Sequence, residues 1–155
     1  MPLEAKPRSW WGSTYVVGED GAPLTEATLS VMREGGRFTL DGQPYTLRRD
    51  RPARAYVLED VGGAEVARAH RPSAFRRRFE VTYPGGALRV EQAGTMSGRY
   101  LVLDGEERVG EIRRRSFWSR QVEADLPAEL PSPVRVFTLL IALLMYRRDE
   151  SAATP

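Results

Sequence analysis

From Tyr15 to Glu123 the chain alternates apolar and polar residues in short runs cut by turn residues. Runs such as "ATLSVMR", "RAYVLED", "ALRVEQA" and "GRYLVLD" carry the two-residue period of strands with one wet face. In "FRRRFEV", Phe75, Phe79 and Val81 share one face, while Arg76, Arg78 and Glu80 take the other. Gly35-Gly36, Asp41-Gly42, Gly62-Gly63, Gly85-Gly86 and Asp104-Gly105 supply the positive φ that tight hairpins require. The pattern predicts about ten to twelve short antiparallel strands, a number that closes into a barrel or stacks as a sandwich. "YVLEDVGGAEVARAHRPSAFRRRFEV" from Tyr56 also resembles "YLVLDGEERVGEIRRRSFWSRQVEA" from Tyr100, which reads as one meander motif used twice or as chance hairpin similarity.

The period changes at "SPVRVFTLLIALLMYRR". Ser132 is a good N-cap, Pro133 suits the first helical position, and Arg147 and Arg148 complement the negative end of a helix dipole. These signals predict a helix over 133–148. Its sides are apolar almost all round, interrupted by Arg135 and Thr138, so it must be enclosed by protein or lie in lipid. Val134–Tyr146 spans about 20 Å at 1.5 Å per residue. A bilayer core is about 30 Å thick, so a core helix is preferred to a transmembrane one. A sheet packed on one side cannot wrap such a helix, whereas a barrel threaded by it can. The fold class is therefore mainly β, a closed antiparallel β-barrel enclosing a hydrophobic C-terminal α-helix. The expected organisation is an N-terminal tail at 1–12, one barrel domain at 13–148 and a flexible tail at 149–155.

Composition removes several chemistries. The 155 residues include no cysteine, which excludes disulfides, thiolate nucleophiles and Cys-ligated zinc. Of 23 lysines and arginines, all but Lys6 are arginine, so a Schiff-base or phosphate-cradling lysine would have to be Lys6. A net charge of +2 gives weak bulk attraction to nucleic acid, which is not an expected partner. The start "MPLEAKPRSWW" has no apolar signal region, and the chain reads as cytoplasmic, with peripheral membrane attachment as an extension of that reading. Phosphate-loop and dinucleotide fingerprints are absent, and His70 is the one histidine, so neither a catalytic constellation nor a cofactor is expected.

The glycine-punctuated strands, the lead-in "GEIRRRSFWSRQVEADL" and the terminal "VFTLLIALLMYRRD" together resemble the tubby C-terminal-like superfamily in layout. That superfamily includes tubby proteins, phospholipid scramblases and LURP-one-related proteins, and small bacterial members match best. The resemblance implies a barrel with a central hydrophobic helix and a lipid-related role. The tubby signature segments are missing, so no phosphoinositide-binding residue carries over. The proline-rich and cysteine-rich N-terminal regions of scramblases are missing too.

Four arginines stand out as candidate anion-binding residues: Arg76, Arg78, Arg113 and Arg115. Alternation sends them outward beside Phe75, Phe79, Phe117 and Trp118, where guanidiniums can grip phosphate or carboxylate. The plainer reading is a solvated strand face balanced by Glu80, Glu107, Glu111 and Glu123. Arg77 and Arg114 fall in register with apolar neighbours, and four readings stay open: they snorkel, sit at a barrel rim, pair with a carboxylate, or are shifted outward by a β-bulge. Trp10-Trp11 reads as a plug at one barrel end or as an interfacial anchor. Glu123, Asp125 and Glu129 lack the glycine-turned loop of a calcium site and read as acids approaching a helix N-terminus. The expected function is non-enzymatic binding of an anionic phospholipid headgroup, or of a protein partner, through an arginine-rich outer face. Two alternatives remain: a barrel holding an apolar small molecule, and a protein tethered to membrane by its last helix.

Overall fold

The computed structural model describes residues 2–8, 13–30, 35–71, 78–94, 98–115 and 120–153. Among the described residues, twelve strands precede one helix. They are β1 (Pro2–Pro7), β2 (Thr14–Glu19), β3 (Ala22–Ser30), β4 (Gly35–Leu40), β5 (Gln43–Asp50) and β6 (Ala55–Glu59). There follow β7 (Glu65–His70), β8 (Arg78–Tyr83), β9 (Gly86–Gln92), β10 (Arg99–Asp104), β11 (Glu107–Arg114), β12 (Val122–Asp125) and α1 (Ser132–Ala153). Each strand pairs antiparallel with the next, and β1 pairs with β12 to close the barrel. The expected barrel and its C-terminal helix are thus both present.

Two boundaries differ from the sequence reading. Residues expected in a loose N-terminal tail form β1, with Leu3 and Ala5 fully buried. Leu3 and Ala5 face inward, and the backbone is held by β12 on one side and β2 on the other. Both prolines sit at the ends of the strand, where a missing N–H costs least. Part of the expected C-terminal tail is helical as well, since α1 continues to Ala153. Glu150 and two alanines are good helix formers.

The hairpin turns follow local chemistry. Asp20-Gly21 and Asp41-Gly42 all take positive φ, the requirement of a type I′ turn that matches strand twist. Three hairpins then share a second feature. In β2–β3, β6–β7 and β10–β11 the register shifts by one residue just past the turn, leaving Leu24, Val66 and Val109 as the extra residues. Each is half-buried against the core. A bulge bends its strand and increases its twist, so the wall is bent at three places at this end. The hairpins lie four strands apart around a ring of twelve, and each begins on an inward tyrosine: Tyr15, Tyr56 or Tyr100. The motif of the sequence therefore occurs three times, with "YVVGEDGAPLTEATL" as the remaining copy.

Helix α1 fills the lumen. Val134, Val136, Phe137 and every residue from Leu139 to Tyr146 are buried, which explains why the helix needs no polar face. Eight-stranded barrels leave room only for side chains, and sixteen-stranded ones leave a channel. Twelve strands suit a helix of about 10–12 Å diameter. The helix lies nearest β7, β1 and β12, whose inward positions include Ala67, Ala69, Ala5 and Ala124. Small side chains there let the backbones approach. Thr138, fully buried, donates its hydroxyl to the Val134 carbonyl at 2.8 Å and so needs no other partner. Among the described residues, no helix is long and apolar enough to cross a membrane.

Candidate functional site

The hairpin topology sorts the connecting segments onto two ends of the barrel. At the end where α1 enters, the links 20–21, 41–42, 60–64, 84–85, 105–106 and 126–131 carry Asp20, Asp41, Asp60, Glu106 and Glu129, with no lysine or arginine. At the end where α1 emerges, the described linking residues include Arg8, Arg51, Arg54, Arg71, Arg115 and Arg120, with no aspartate or glutamate. Arg147 and Arg148 reach that end on the emerging helix, followed in sequence by Asp149 and Glu150.

Local geometry builds this arginine end in layers. Tyr146, on the last buried turn of α1, donates its hydroxyl to the Gly98 carbonyl at 2.6 Å and packs edge-on against Tyr100 at 5.3 Å. The guanidinium of Arg114 lies 5.9 Å above the Tyr146 ring, and that of Arg49 lies 4.7 Å above Tyr56. Arg114 is therefore a rim residue, folded over aromatic faces that favour a cation. The turn 51–54 stands further out. Arg51 and Arg54 are exposed and make no ion pair among the described residues. Arg54 adopts φ +53°, in the left-handed region that favours glycine. Asp50 anchors the base of this turn, accepting from the Ala53 N–H at 3.4 Å and from Arg68 at 3.1 Å. The Arg68 bond, helped by the Ala53 N–H, holds the Asp50 carboxyl below its usual range against a smaller effect of desolvation. Arg68 is raised in turn, by Glu65 first and Asp50 second.

The four candidate arginines fare differently. Arg76 lies outside the described residues, as do Arg77, Phe75, Trp10, Trp11, Phe117 and Trp118. Arg113 is exposed on β11 and places Nη2 3.0 Å and Nε 3.2 Å from one oxygen of Glu123. Arg115 approaches the other oxygen at 3.6 Å. Arg78 faces outward on β8, opposite Glu91. Two strands separate β8 from β11, so about 14 Å of wall lies between Arg78 and Arg113. That wall carries Arg89 with Glu91 and Arg99 with Glu111. The strand face is thus an alternation of paired charges, and Arg78 and Arg113 do not converge on one patch.

His70 is exposed on β7, opposite Glu80 and Ala55. Glu123 is engaged by Arg113 and Arg115, and among the described residues no group of histidines and carboxylates is placed to hold a metal ion. The lumen that an apolar ligand would need is occupied by the side chains of α1. No family model matches this chain, and no curated protein and no solved structure does so either.

Proposed function

We propose that this chain is a non-enzymatic, tubby-like barrel that binds anionic phospholipid surfaces through its arginine end. The family reading is supported by architecture alone: a closed barrel of twelve strands around a C-terminal hydrophobic helix. The lipid reading is carried by the segregation of charge between the two ends. Most arginines on the strand wall, among them Arg48, Arg68, Arg89, Arg99, Arg108 and Arg113, are matched by carboxylates and present little net field. Of those in the turns at the exit of α1, Arg8 meets Glu26 and Arg115 meets Glu123, whereas Arg51 and Arg54 are exposed and make no ion pair among the described residues. A basic end opposite an acidic one also orients the molecule at a negative surface.

Co-sedimentation with phosphatidylserine-containing vesicles at low salt tests this. The protein should pellet with them, stay in solution with phosphatidylcholine vesicles, and be released at high salt. Each arginine near an anionic leaflet contributes about 1 kcal/mol. Replacing Arg51 and Arg54 by glutamine should therefore weaken binding about 30-fold. No pelleting, or equal pelleting of the glutamine variant, refutes the reading.

A further inference from the structure

The opposite end of the barrel holds a groove that the lipid reading does not use. It is an open cavity of about 610 Å³ between the outer ends of β8–β11 and the segment leading into α1. Tyr83 and Val109, backed by the nearly buried Leu88, Leu126 and Leu130, give it a small apolar floor. Val109 is the bulged residue of β11, so the bulge presents it there. Asp104, Glu107, Asp125 and Glu129 line the groove above that floor. Gly110 brings β11 so close to β12 that an added Cβ would stand 2.1 Å from the Asp125 carbonyl oxygen. The wall of the groove is thus fixed by backbone packing.

The charges around this groove differ from most carboxylates of the strand wall. Elsewhere on the wall, Glu26, Glu59, Glu65, Glu91, Glu111 and Glu123 each meet a guanidinium. Asp104, Glu107, Asp125 and Glu129 meet none among the described residues. Arg108, the one cation lining the groove, is held by Glu111 at 2.5 Å. The volume lies within the range of about 300–1,000 Å³ typical of ligand sites.

We infer that this groove binds a cationic peptide segment of a partner protein, one that sets arginines or lysines against the four carboxylates and an apolar side chain on the floor. An apolar floor selects a side chain of the partner over a bare metal ion, and with Arg108 engaged by Glu111 the charge that answers the four carboxylates is left to be supplied from outside. The inference does not depend on the lipid reading. If both hold, the groove points away from the membrane and the barrel acts as an adaptor.

A fluorescently labelled Leu-Arg-Arg-Leu peptide serves as the probe, with the full chain and anisotropy as the readout. It should bind in a salt-sensitive manner. Glu107→Gln with Glu129→Gln should weaken it about tenfold, the effect of two rim charges. Asp20→Asn with Asp41→Asn removes the same charge from the same end, keeps the turn chemistry, and should leave binding within about twofold. A Ser-Arg-Arg-Ser peptide should bind at least about tenfold more weakly, for want of the buried leucines. Absence of binding, equal loss in the two double variants, or equal affinity for the serine peptide overturns the assignment. Self-association of the peptide-free protein that disappears in the groove variant would give the site to a second copy, and would also overturn it. Vesicle binding by the groove variant should be unchanged, so the two readings fail separately.

Discussion

Arg135 Nη2 lies 2.9 Å from Glu19 Oε1, joining the first turns of α1 to the last residue of β2 across 116 residues of sequence. Arg135 is 6% exposed, whereas Glu19 reaches the rim with a side chain 27% exposed. The pair sits where the rod enters the wall, and it fixes how far in the rod slides.

The asymmetry of that pair sets the first prediction. Glu19→Gln removes the carboxylate that lies 2.9 Å from a buried guanidinium and should cost about 3 kcal/mol, in line with broken buried pairs. Arg135→Met removes the buried charge and lets Glu19 hydrate, so it should cost about 1 kcal/mol or less. Urea denaturation of both variants measures the difference. Equal costs would mean that the pair does not secure the rod.

Leu140→Ala, at a fully buried point of α1, should destabilise by about 2–5 kcal/mol, since the surrounding wall cannot collapse into the space. Deleting the chain from Ser132 onward should abolish cooperative unfolding altogether. A truncated protein that still melts cooperatively would show that the strands hold without their filling.

Gly110→Ala is the sharpest backbone test. The new methyl would meet the Asp125 carbonyl oxygen at 2.1 Å, and a main-chain oxygen in a closed ladder cannot move aside. A loss of about 3 kcal/mol or more is expected. Gly42→Ala offers a contrast: nothing stands within 4 Å of its Cβ position, so only the strain of φ +74° applies. The cost there should be nearer about 1 kcal/mol.

Arg54→Gly should separate stability from binding. Glycine relieves the left-handed backbone at φ +53° and should raise stability by up to about 1 kcal/mol. The same change removes an exposed guanidinium, so affinity for phosphatidylserine vesicles should fall about fivefold. A variant that is destabilised, or that binds as before, contradicts the assignment of this turn.

Asp50 gives a pH dependence. Its carboxyl is held below the ordinary aspartate value of 3.8 by Arg68, so the folded state favours the charged form. The contribution is complete above the unfolded pKa and disappears as pH falls through the folded one. Asp50→Asn should therefore be less stable than the parent near neutral pH, and the gap should close under acid below about pH 4. An unchanged gap at low pH would mean that the ionised carboxylate is not what matters.

The fold was largely legible because its rules are local. Asp-Gly pairs mark hairpins, alternation marks one-sided strands, and an apolar helix too short for a bilayer asks for a container. Strand β1 escaped because Pro2 and Pro7 resemble tail residues, although Leu3 and Ala5 already alternate inward. The repeat beginning at Tyr15 escaped because Pro23 stands where the other two carry Glu65 and Arg108, and Thr28-Leu29 where they carry His70-Arg71 and Arg113-Arg114. Outward placement of Arg113 follows from Ile112 beside it, but its partner does not. Glu123 meets it only because β11 and β12 adopt one register, a tertiary fact. The division into acidic and basic ends was within reach, since in a meander the odd and even turns fall on opposite ends once the strands are numbered correctly.

Closure has a kinetic consequence. The seam between β1 and β12 joins Pro2 to Asp125, so the ring can be completed only after nearly the whole chain has been gathered, at a large loop-closure cost. With no staves left open, α1 is held like a bung that cannot be withdrawn while the hoop is intact. Amide protons along its middle turns should then exchange with solvent only when the entire molecule comes apart, and at the same rate as the seam itself.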